Sequence, residues 1–393
     1  MPAIEKVVSE HRAKLDALLR IDGKPDIDSL VGPVEHMEHM LGRIWSPVSH
    51  LQSVLGSPDW REAYKEALPL LTKHGTEISQ NERLQRAYAE VRRNLPAEAS
   101  PASRRAVDHA LRDFHLAGVD LEKDAKERFK AIMQELAATQ ASFEHKVQDA
   151  SDAWSLHISD ARQLEGLPDQ AVTRAADDAA RKEVDGWLLS LDYPTFHAVM
   201  THAVNRDLRE SFYRAWVTRG SDQGESAEWD NSDNIVRILA LRHEAANLVG
   251  FATYADYSLA TKMADSTEQV ISFLRDLAAH SRSTAEREYR ALSEFAGIGL
   301  EPWDLAFWLE KYKQEKFSIS NEQLKQYFPV DTVVEGLFAL AARLYDVTLS
   351  QNDSVATGHE DVRYFEVRET TGQALGGFYT DLFARNGKRT GAW

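Results

Sequence analysis

The residues of this chain that come nearest to a metal-binding helix are His243, Glu244 and Asn247. A helical zinc motif needs two histidines one turn apart on the same face, with a glutamate beside the first to act as a base. His243 and Glu244 supply the first half of this pattern, but Asn247 occupies the position of the second ligand. We therefore expect no zinc site here and interpret His243 and Glu244 as a structural pair on a core helix.

The densest sequence cluster of possible metal ligands is His36 and His39, flanked by Glu35 and Glu38. Three-residue spacing on a helix would bring the two imidazoles close together. No third ligand is evident in the sequence, and a metal site needs one. We therefore expect a solvated helix surface at this cluster.

Three basic residues near the end of the chain, Arg385, Lys388 and Arg389, could bind a peptide carboxylate or an acidic side chain. The commoner alternative is that they stabilise their own loop or pair with glutamates. His197 and His202 are five residues apart and do not share a helical face. The GxSxG, Walker and GxGxxG motifs do not occur. The sequence thus predicts no catalytic, cofactor-binding or metal-binding residue in this chain.

Charge and composition exclude several classes of protein. The net charge is −16, from 46 Lys and Arg against 62 Asp and Glu, whereas binding to nucleic acid needs a basic surface. The absence of cysteine excludes disulfides, thiolate zinc sites and cysteine nucleophiles. Neither a signal peptide nor an apolar run of the ~20 residues needed to span a bilayer is evident. We expect a cytoplasmic protein without nucleic acid or membrane partners.

Hydrophobic periodicity predicts helices through most of the chain. They are expected over residues 2–20, 34–55, from 57 onward, 79–94, 103–116 and 120–150, and again between 194 and 345. Two short strands, 154–158 and 187–191, could pair as a small antiparallel element. The change from helices to strands near residue 150 is the predicted domain boundary.

The last part of the chain has the alternation of a β-hairpin. Residues 362–367 alternate with a period of two, residues 370–373 offer a turn with Gly372 at positive φ, and an aromatic run follows over 377–383. Two strands alone are marginal in water, so this hairpin needs further strands or a covering layer. We expect one strand edge to be unpaired and the following apolar side chains to be exposed: Phe365, Phe378, Tyr379, Phe383 and Trp393.

Apolar stripes predict two further core helices before this hairpin. The first stripe consists of Ile235, Ile238, Leu239, Ala245, Ala246, Leu248 and Val249, closed by Gly250. The second consists of Val333, Leu337, Phe338, Ala341 and Leu344. We expect both sets of side chains to be buried.

Several motifs of the second half occur in a fixed order. They are LRHEAANLVGF at residues 241–251, WD at 303–304, QYFP at 326–329, VEGLF at 334–338, RLY at 343–345, and the GFY, DL, AR and GKR groups within 361–393. Together they resemble the oligopeptidase A and thimet oligopeptidase family of zinc metallopeptidases. Two positions depart from the family pattern: Gly358, where the family usually has Trp, and Thr390, where it usually has Gly.

The resemblance implies a mostly α fold. It consists of a multi-helix N-terminal domain, residues 1–150, and an incomplete helical metallopeptidase domain, residues 151–393, with a small β-hairpin near the C-terminus. Members of this family hydrolyse short peptides with one zinc, held by two His and a Glu, and the Glu of an HExxH motif that follows the hairpin acts as general base on the zinc-bound water. Those residues are absent from this sequence, so we expect a missing C-terminal catalytic half, no zinc bound to this chain, and no activity from it alone. The alternatives are a non-catalytic peptide-binding protein and an assembly module.

Overall fold

A computed structural model describes residues 2–20, 23–224, 227–318, 320–385 and 387–389. Within them the chain forms fifteen α-helices and five short strands. The predicted mostly α fold class is confirmed. Trp393, which we expected to be exposed, and Thr390 lie outside the described residues.

The chain divides into two compact units. The first contains the described residues of Met1–Gln148, Gly220–Asp222 and Ser226–Ser281, and the second those of Asp149–Arg219, Gln223–Glu225 and Arg282–Trp393. Two long helices, α6 (Lys123–Ala153) and α12 (Thr267–Ala296), contain the division points after Gln148 and Ser281. The division into domains at 1–150 and 151–393 stays a prediction.

The first unit is built from helices. They are α1 (Pro2–Leu18), a π-helical turn (Ile27–Val31), α2 (Gly32–Leu55), α3 (Pro58–Ser79), α4 (Glu82–Asn94), α5 (Pro101–Leu116), most of α6, a 3-10 turn (Ala227–Trp229), α10 (Ser232–Leu248), α11 (Tyr254–Leu259) and the start of α12. Ser57, Asn81 and Ser100 cap α3, α4 and α5, each accepting a hydrogen bond from the backbone N–H three residues later. Such caps satisfy donors that the first turn leaves without helical partners, which fixes where each helix begins.

Three apolar clusters hold this first unit together. The largest surrounds Leu84 and Val107, which are fully buried, and includes Val31 and Val34. The second joins α6 to α10 through Ile132, Leu241 and Ala245. The third joins α1 to α3 and is made of Ile4, Val8 and Ala67, with Trp45, Leu70 and Leu71 beside them.

Helix α10 differs in part from its predicted burial. Ile238, Ala245 and Val249 are buried as expected, but Ile235 and Leu239 are exposed. The predicted stripe was wider than the face that α6 covers, so the prediction was wrong for these two residues.

The second unit begins with the small antiparallel pair that the sequence predicts. Strand β1 (Ser155–Ile158) pairs with β2 (Trp187–Ser190), and Ser155 lies opposite Ser190. The intervening segment contains a 3-10 turn (Ala161–Leu164) and α7 (Asp169–Arg181), and α8 (Tyr193–His202) and α9 (Arg206–Thr218) follow. The core of this part surrounds the fully buried Val199 and Phe212.

A buried ion cluster ties α9 to the segment about one hundred residues later. Asp304, in the 3-10 turn Pro302–Asp304, is fully buried and accepts hydrogen bonds from Arg206 Nη2 at 2.6 Å, Arg209 Nη2 at 2.8 Å and the backbone N–H of Glu301 at 3.0 Å. Burial alone would raise the pKa of Asp304, but the hydrogen bonds from the two arginines outweigh it and bring this pKa to about 2. The cluster therefore carries a permanent charge inside the second unit.

Arg209 satisfies its remaining donors with backbone. It donates to the carbonyls of Ala203 at 2.7 Å and Trp303 at 3.1 Å, and its guanidinium lies 4.3 Å from the ring centroid of Phe307. Helices α13 (Leu305–Phe317), α14 (Asn321–Lys325) and α15 (Val330–Tyr345) follow.

The unit ends in a three-stranded antiparallel sheet, not a two-stranded hairpin. Its strands are β3 (Val347–Gln351), β4 (Arg363–Glu369) and β5 (Ala374–Thr380), in the order β3-β4-β5. The sequence analysis missed β3, which supplies the additional strand that the hairpin needs. Gly372 has a φ of 91° in the turn between β4 and β5, as predicted.

Candidate functional site

Helix α15 has two apolar sides, and only one of them is covered by the described part of the second unit. Phe338 lies on the sheet, with its ring centroid 4.8 Å from that of Phe365 and 6.0 Å from that of Phe378. Phe365 is consequently 5% exposed, so the expectation that it would be exposed was wrong. Phe378 is half-buried for the same reason.

The other side of α15 presents a row of large exposed side chains, which we call the α15 stripe. It consists of Val330, Val333, Leu337, Leu340 and Leu344, which are 38%, 47%, 60%, 51% and 65% exposed. Their spacing of three and four residues is that of a helix that packs along a partner helix. The prediction that Val333, Leu337 and Leu344 are buried was therefore wrong for the described residues.

Strand β5 forms an edge of the sheet within the described residues. It pairs with β4 on one side, and most of its side chains are exposed. Tyr364 on β4 lies over the backbone of Gly377 and packs on Tyr379, with ring centroids 4.8 Å apart. Strand edges without a partner can add another extended backbone.

Two of the three basic residues after β5, Arg385 and Lys388, face an aspartate, whereas Arg389 is exposed. Arg385 Nη1 donates to Asp381 Oδ1 at 2.7 Å, and Lys388 Nζ donates to the same oxygen at 2.9 Å and to the carbonyl of Phe383 at 2.9 Å. Burial opposes ionisation of Asp381, but the hydrogen bonds from these two cations lower its pKa. Arg385 and Lys388 thus stabilise this loop with Asp381 as the partner, while the side chains of Leu382 and Phe383 are exposed.

The zinc-like sequence on α10 makes different pairs from those expected. Glu244 accepts two hydrogen bonds from Arg128 on α6, at 2.6 and 2.5 Å, and these lower its pKa. Asn247 Nδ2 donates to the carbonyl of His243 at 2.8 Å. The interpretation of His243 and Glu244 as a pair was wrong, because the carboxylate of Glu244 binds Arg128 instead.

The other histidines considered above lie at the surface. His36, His39 and His197 are exposed, and His202 is half-buried. The described residues contain no group of three His, Asp or Glu side chains arranged to hold a metal ion. The described residues therefore do not fit the zinc that the family resemblance implies.

Comparison with known families covers most of the chain. Residues 4–126 match the family described as Neurolysin/Thimet oligopeptidase, N-terminal domain, and residues 199–393 match Peptidase family M3. This chain belongs to the peptidase M3 family. The predicted resemblance to oligopeptidase A and thimet oligopeptidase is confirmed.

Individual members of the M3 family align with the whole chain. It is 42% identical over 400 residues to oligopeptidase A of Escherichia coli (strain K12), 39% identical over 401 residues to oligopeptidase A of Haemophilus influenzae, and 33% identical over 409 residues to a probable cytosolic oligopeptidase A of Arabidopsis thaliana. Each alignment covers 100% of this chain, but 59%, 58% and 58% of the respective relative. The chain spans about three fifths of the length of these M3 relatives.

The exposed stripe was the part of this site that sequence reasoning missed. The signal was present, because positions 330, 333, 337, 340 and 344 follow a heptad spacing distinct from that of Phe338. Apolar spacing identifies a face that needs a partner, but it does not say whether the same chain supplies that partner.

Proposed function

We propose that this chain forms the front portion of an oligopeptidase A-like zinc metalloendopeptidase that hydrolyses short peptides in the cytoplasm. In this proposal, the residues that hold zinc and activate water belong to the part of the M3 family that the chain does not span. The chain supplies helical scaffold and surface, and by itself it does not cleave peptides.

The observation that carries this proposal is the alignment of the entire chain with oligopeptidase A at 42% identity, over 59% of that protein. The match to the N-terminal domain of neurolysin and thimet oligopeptidase lies in the first half of the chain, and the match to Peptidase family M3 lies in the second half. The cytoplasmic location is supported by the likeness to a plant protein named as a probable cytosolic oligopeptidase A. None of the described helices is long and apolar enough to cross a membrane.

The α15 stripe supports the idea that further chain packs on the second unit. Five large apolar side chains in one row are more than a monomer surface usually leaves uncovered, and apolar patches of this kind mark interaction sites. Burying a large aliphatic side chain contributes about 1.5–3 kcal/mol, so burial of the stripe against a partner helix would contribute substantially to the free energy of association. The edge of β5 and the exposed Tyr379 and Leu382 offer further surface of the same kind.

The test is a peptide-cleavage assay with separately made parts. The chain, the remaining two fifths of the Escherichia coli relative, and their mixture are each incubated with zinc and a quenched fluorescent peptide. We expect cleavage from the mixture only, and we expect a chelator to abolish it. Cleavage by the chain alone that a chelator abolishes would contradict the proposal.

Association and catalysis are separated by a matched pair of variants. Leu337→Gln places an amide in the α15 stripe, whereas Val217→Gln makes the same kind of change at an exposed position of α9. We expect only Leu337→Gln to weaken the association measured by calorimetry, with both variants folded. A mixture that forms a complex without cleaving, while the chain binds short peptides, would favour the alternative of a non-catalytic peptide-binding protein.

A further inference from the structure

Helix α1 is held on the first unit by a narrow row of side chains. Its buried side chains are Ile4, Val8, His11 and Leu15, spaced by four, three and four residues along one face. Ile4 and Val8 pack with Ala67 in the cluster between α1 and α3. A histidine therefore occupies one of the few core positions that fix this helix.

The histidine faces a second one. His74 on α3 is 1% exposed and His11 is 5% exposed, and their ring centroids are 5.7 Å apart with the planes tilted by 48°. Both ring nitrogens of His74 and Nδ1 of His11 have no hydrogen-bond partner among the described residues. A neutral imidazole leaves one donor and one acceptor to satisfy, and a buried imidazolium leaves two charged donors. Protonation at this position is therefore costly.

Charged groups around the pair do not provide a free counter-ion. On α1 they are Glu10, Arg12 and Lys14, on α3 Lys73 and Glu77, and on α6 Lys130, while α2 contributes the apolar Trp45. Glu77, the α3 carboxylate that acts on His74, already accepts from Arg12 at 2.6 Å and from Lys130 at 3.3 Å. Burial is the main reason why the pKa of His11 and the pKa of His74 both lie below the usual value of 6.5. Lys14 acts in the same direction on His11, and the neighbouring ring and Arg12 do so on His74, whereas Glu10 raises the pKa of His11 and Glu77 raises that of His74.

We propose that His11 and His74 form a proton-operated latch. With both rings neutral, they pack α1 against α3, and protonation of either ring favours release of α1 into water. The released histidines regain hydration, and the new charge is no longer confined beside the second ring.

The sign and size of the effect follow from proton linkage. Each ring titrates near its usual pKa when α1 is released and at a lower pH when it is packed, so the packed state is fully favoured above about pH 6.5. As the pH falls below that value, release binds protons and becomes more favourable, by at most about tenfold per pH unit for each ring. Between pH 7.5 and 5.5 the opening equilibrium should therefore rise by up to about tenfold if one ring responds and by up to about a hundredfold if both do.

Hydrogen exchange of the full chain measures this equilibrium directly. Protection factors of the α1 amides are compared at pH 7.5, 6.5 and 5.5 in EDTA, after correction for the intrinsic pH dependence of exchange. We expect protection in α1 to fall between the extremes by up to about tenfold for each ring that responds, while protection in α4 and α5 changes by less than about twofold. Unchanged protection in α1 would overturn the latch.

Variants test whether the two rings are the cause. His11→Leu with His74→Leu should abolish the pH response, and each single change should reduce it to at most about tenfold. His36→Gln removes an exposed histidine and should keep the full response. If the leucine variants do not fold, His11→Gln with His74→Gln keeps neutral polar groups and should also remove the response. A wild-type pH response in either double variant would refute the proposal. The proposal would also be refuted if added zinc increased the protection of the α1 amides at pH 7.5 and this increase required both histidines.

Discussion

Replacing Asp304 by Asn tests whether the buried ion cluster holds α9 in place. The carboxylate of Asp304 is fully buried, and the side chain of Arg209 beside it is 3% exposed. Water therefore cannot solvate the charge of Arg209 when the carboxylate is removed. Asn keeps the shape of the side chain and one acceptor oxygen. The perturbation therefore removes the charge and one acceptor of Asp304 without changing its volume.

Two estimates of the expected loss agree in order of magnitude. Moving the pKa from 3.8 to about 2 corresponds to about 2 kcal/mol at neutral pH. Removing one partner of a buried ion pair costs about 3–5 kcal/mol, because the other charge stays buried without compensation. We expect Asp304→Asn to lower the free energy of unfolding by about 3 kcal/mol. Arg206→Gln should cost about 1 kcal/mol, since the side chain of Arg206 is 47% exposed.

The assay is hydrogen exchange of the α9 amides, supported by urea unfolding followed by tryptophan fluorescence. A loss of about 3 kcal/mol corresponds to a fall of about two orders of magnitude in protection. Because the folded pKa is depressed, the wild-type contribution is present above about pH 4 and disappears as the pH falls towards 2. The difference between wild type and Asp304→Asn should shrink over the same range. A loss below about 1 kcal/mol at pH 7, or a pH-independent difference, would refute this reasoning.

Two further predictions concern the C-terminal sheet and the helix on it. Gly377→Ala should lower the melting temperature, because a Cβ there would collide with the Tyr364 hydroxyl and lie 2.9 Å from the backbone carbonyl oxygen of Phe365. In the control Gly376→Ala, the Cβ would have no neighbour within 4 Å, so this change should be neutral or slightly stabilising. Equal melting temperatures of the two variants would contradict this prediction. Phe338→Ala should lower the free energy of unfolding by about 3–5 kcal/mol, but Leu337→Ala by less than about 1 kcal/mol, because only Phe338 packs on the sheet; urea titration of both variants distinguishes them.

Elements with local signals were predictable from the sequence. The capped helices, the individual strands β1 and β2 and the turn at Gly372 each depend on residue types within a few positions of each other. Strand β3 was missed because its residues, VTLSQ, follow α15 directly at Asp346, whose φ of 55° ends the helix without the usual glycine. Its assignment depends on pairing with β4, and pairing between distant segments is not visible in a short window.

Long-range contacts also explain what was wrong about the site. Glu244 was assigned to His243, its neighbour in sequence, whereas its partner Arg128 is 116 residues away. Phe365 was expected to be exposed because α15 had not been placed over the sheet. By contrast, the commoner alternative for Arg385 and Lys388, that they stabilise their own loop, is confirmed, and their partner Asp381 lies within eight positions. The identity of the buried histidine pair likewise requires α1 and α3 to be brought together first.

The ion cluster at Asp304 sets a waiting time during synthesis of the chain. Arg209 and its counter-ion are separated by 95 residues, and ribosomes add about 5–20 residues per second. For roughly 5–20 s after Arg209 is made, its carboxylate partner does not yet exist, and docking of α9 on α8 would bury a cation without one. The helices before α6 can pack during this interval, since the cluster around Leu84 and Val107 and the cluster between α1 and α3 need no later residue. In a nascent chain, α9 must therefore remain hydrated throughout this interval. It is accessible to chaperones during the same period.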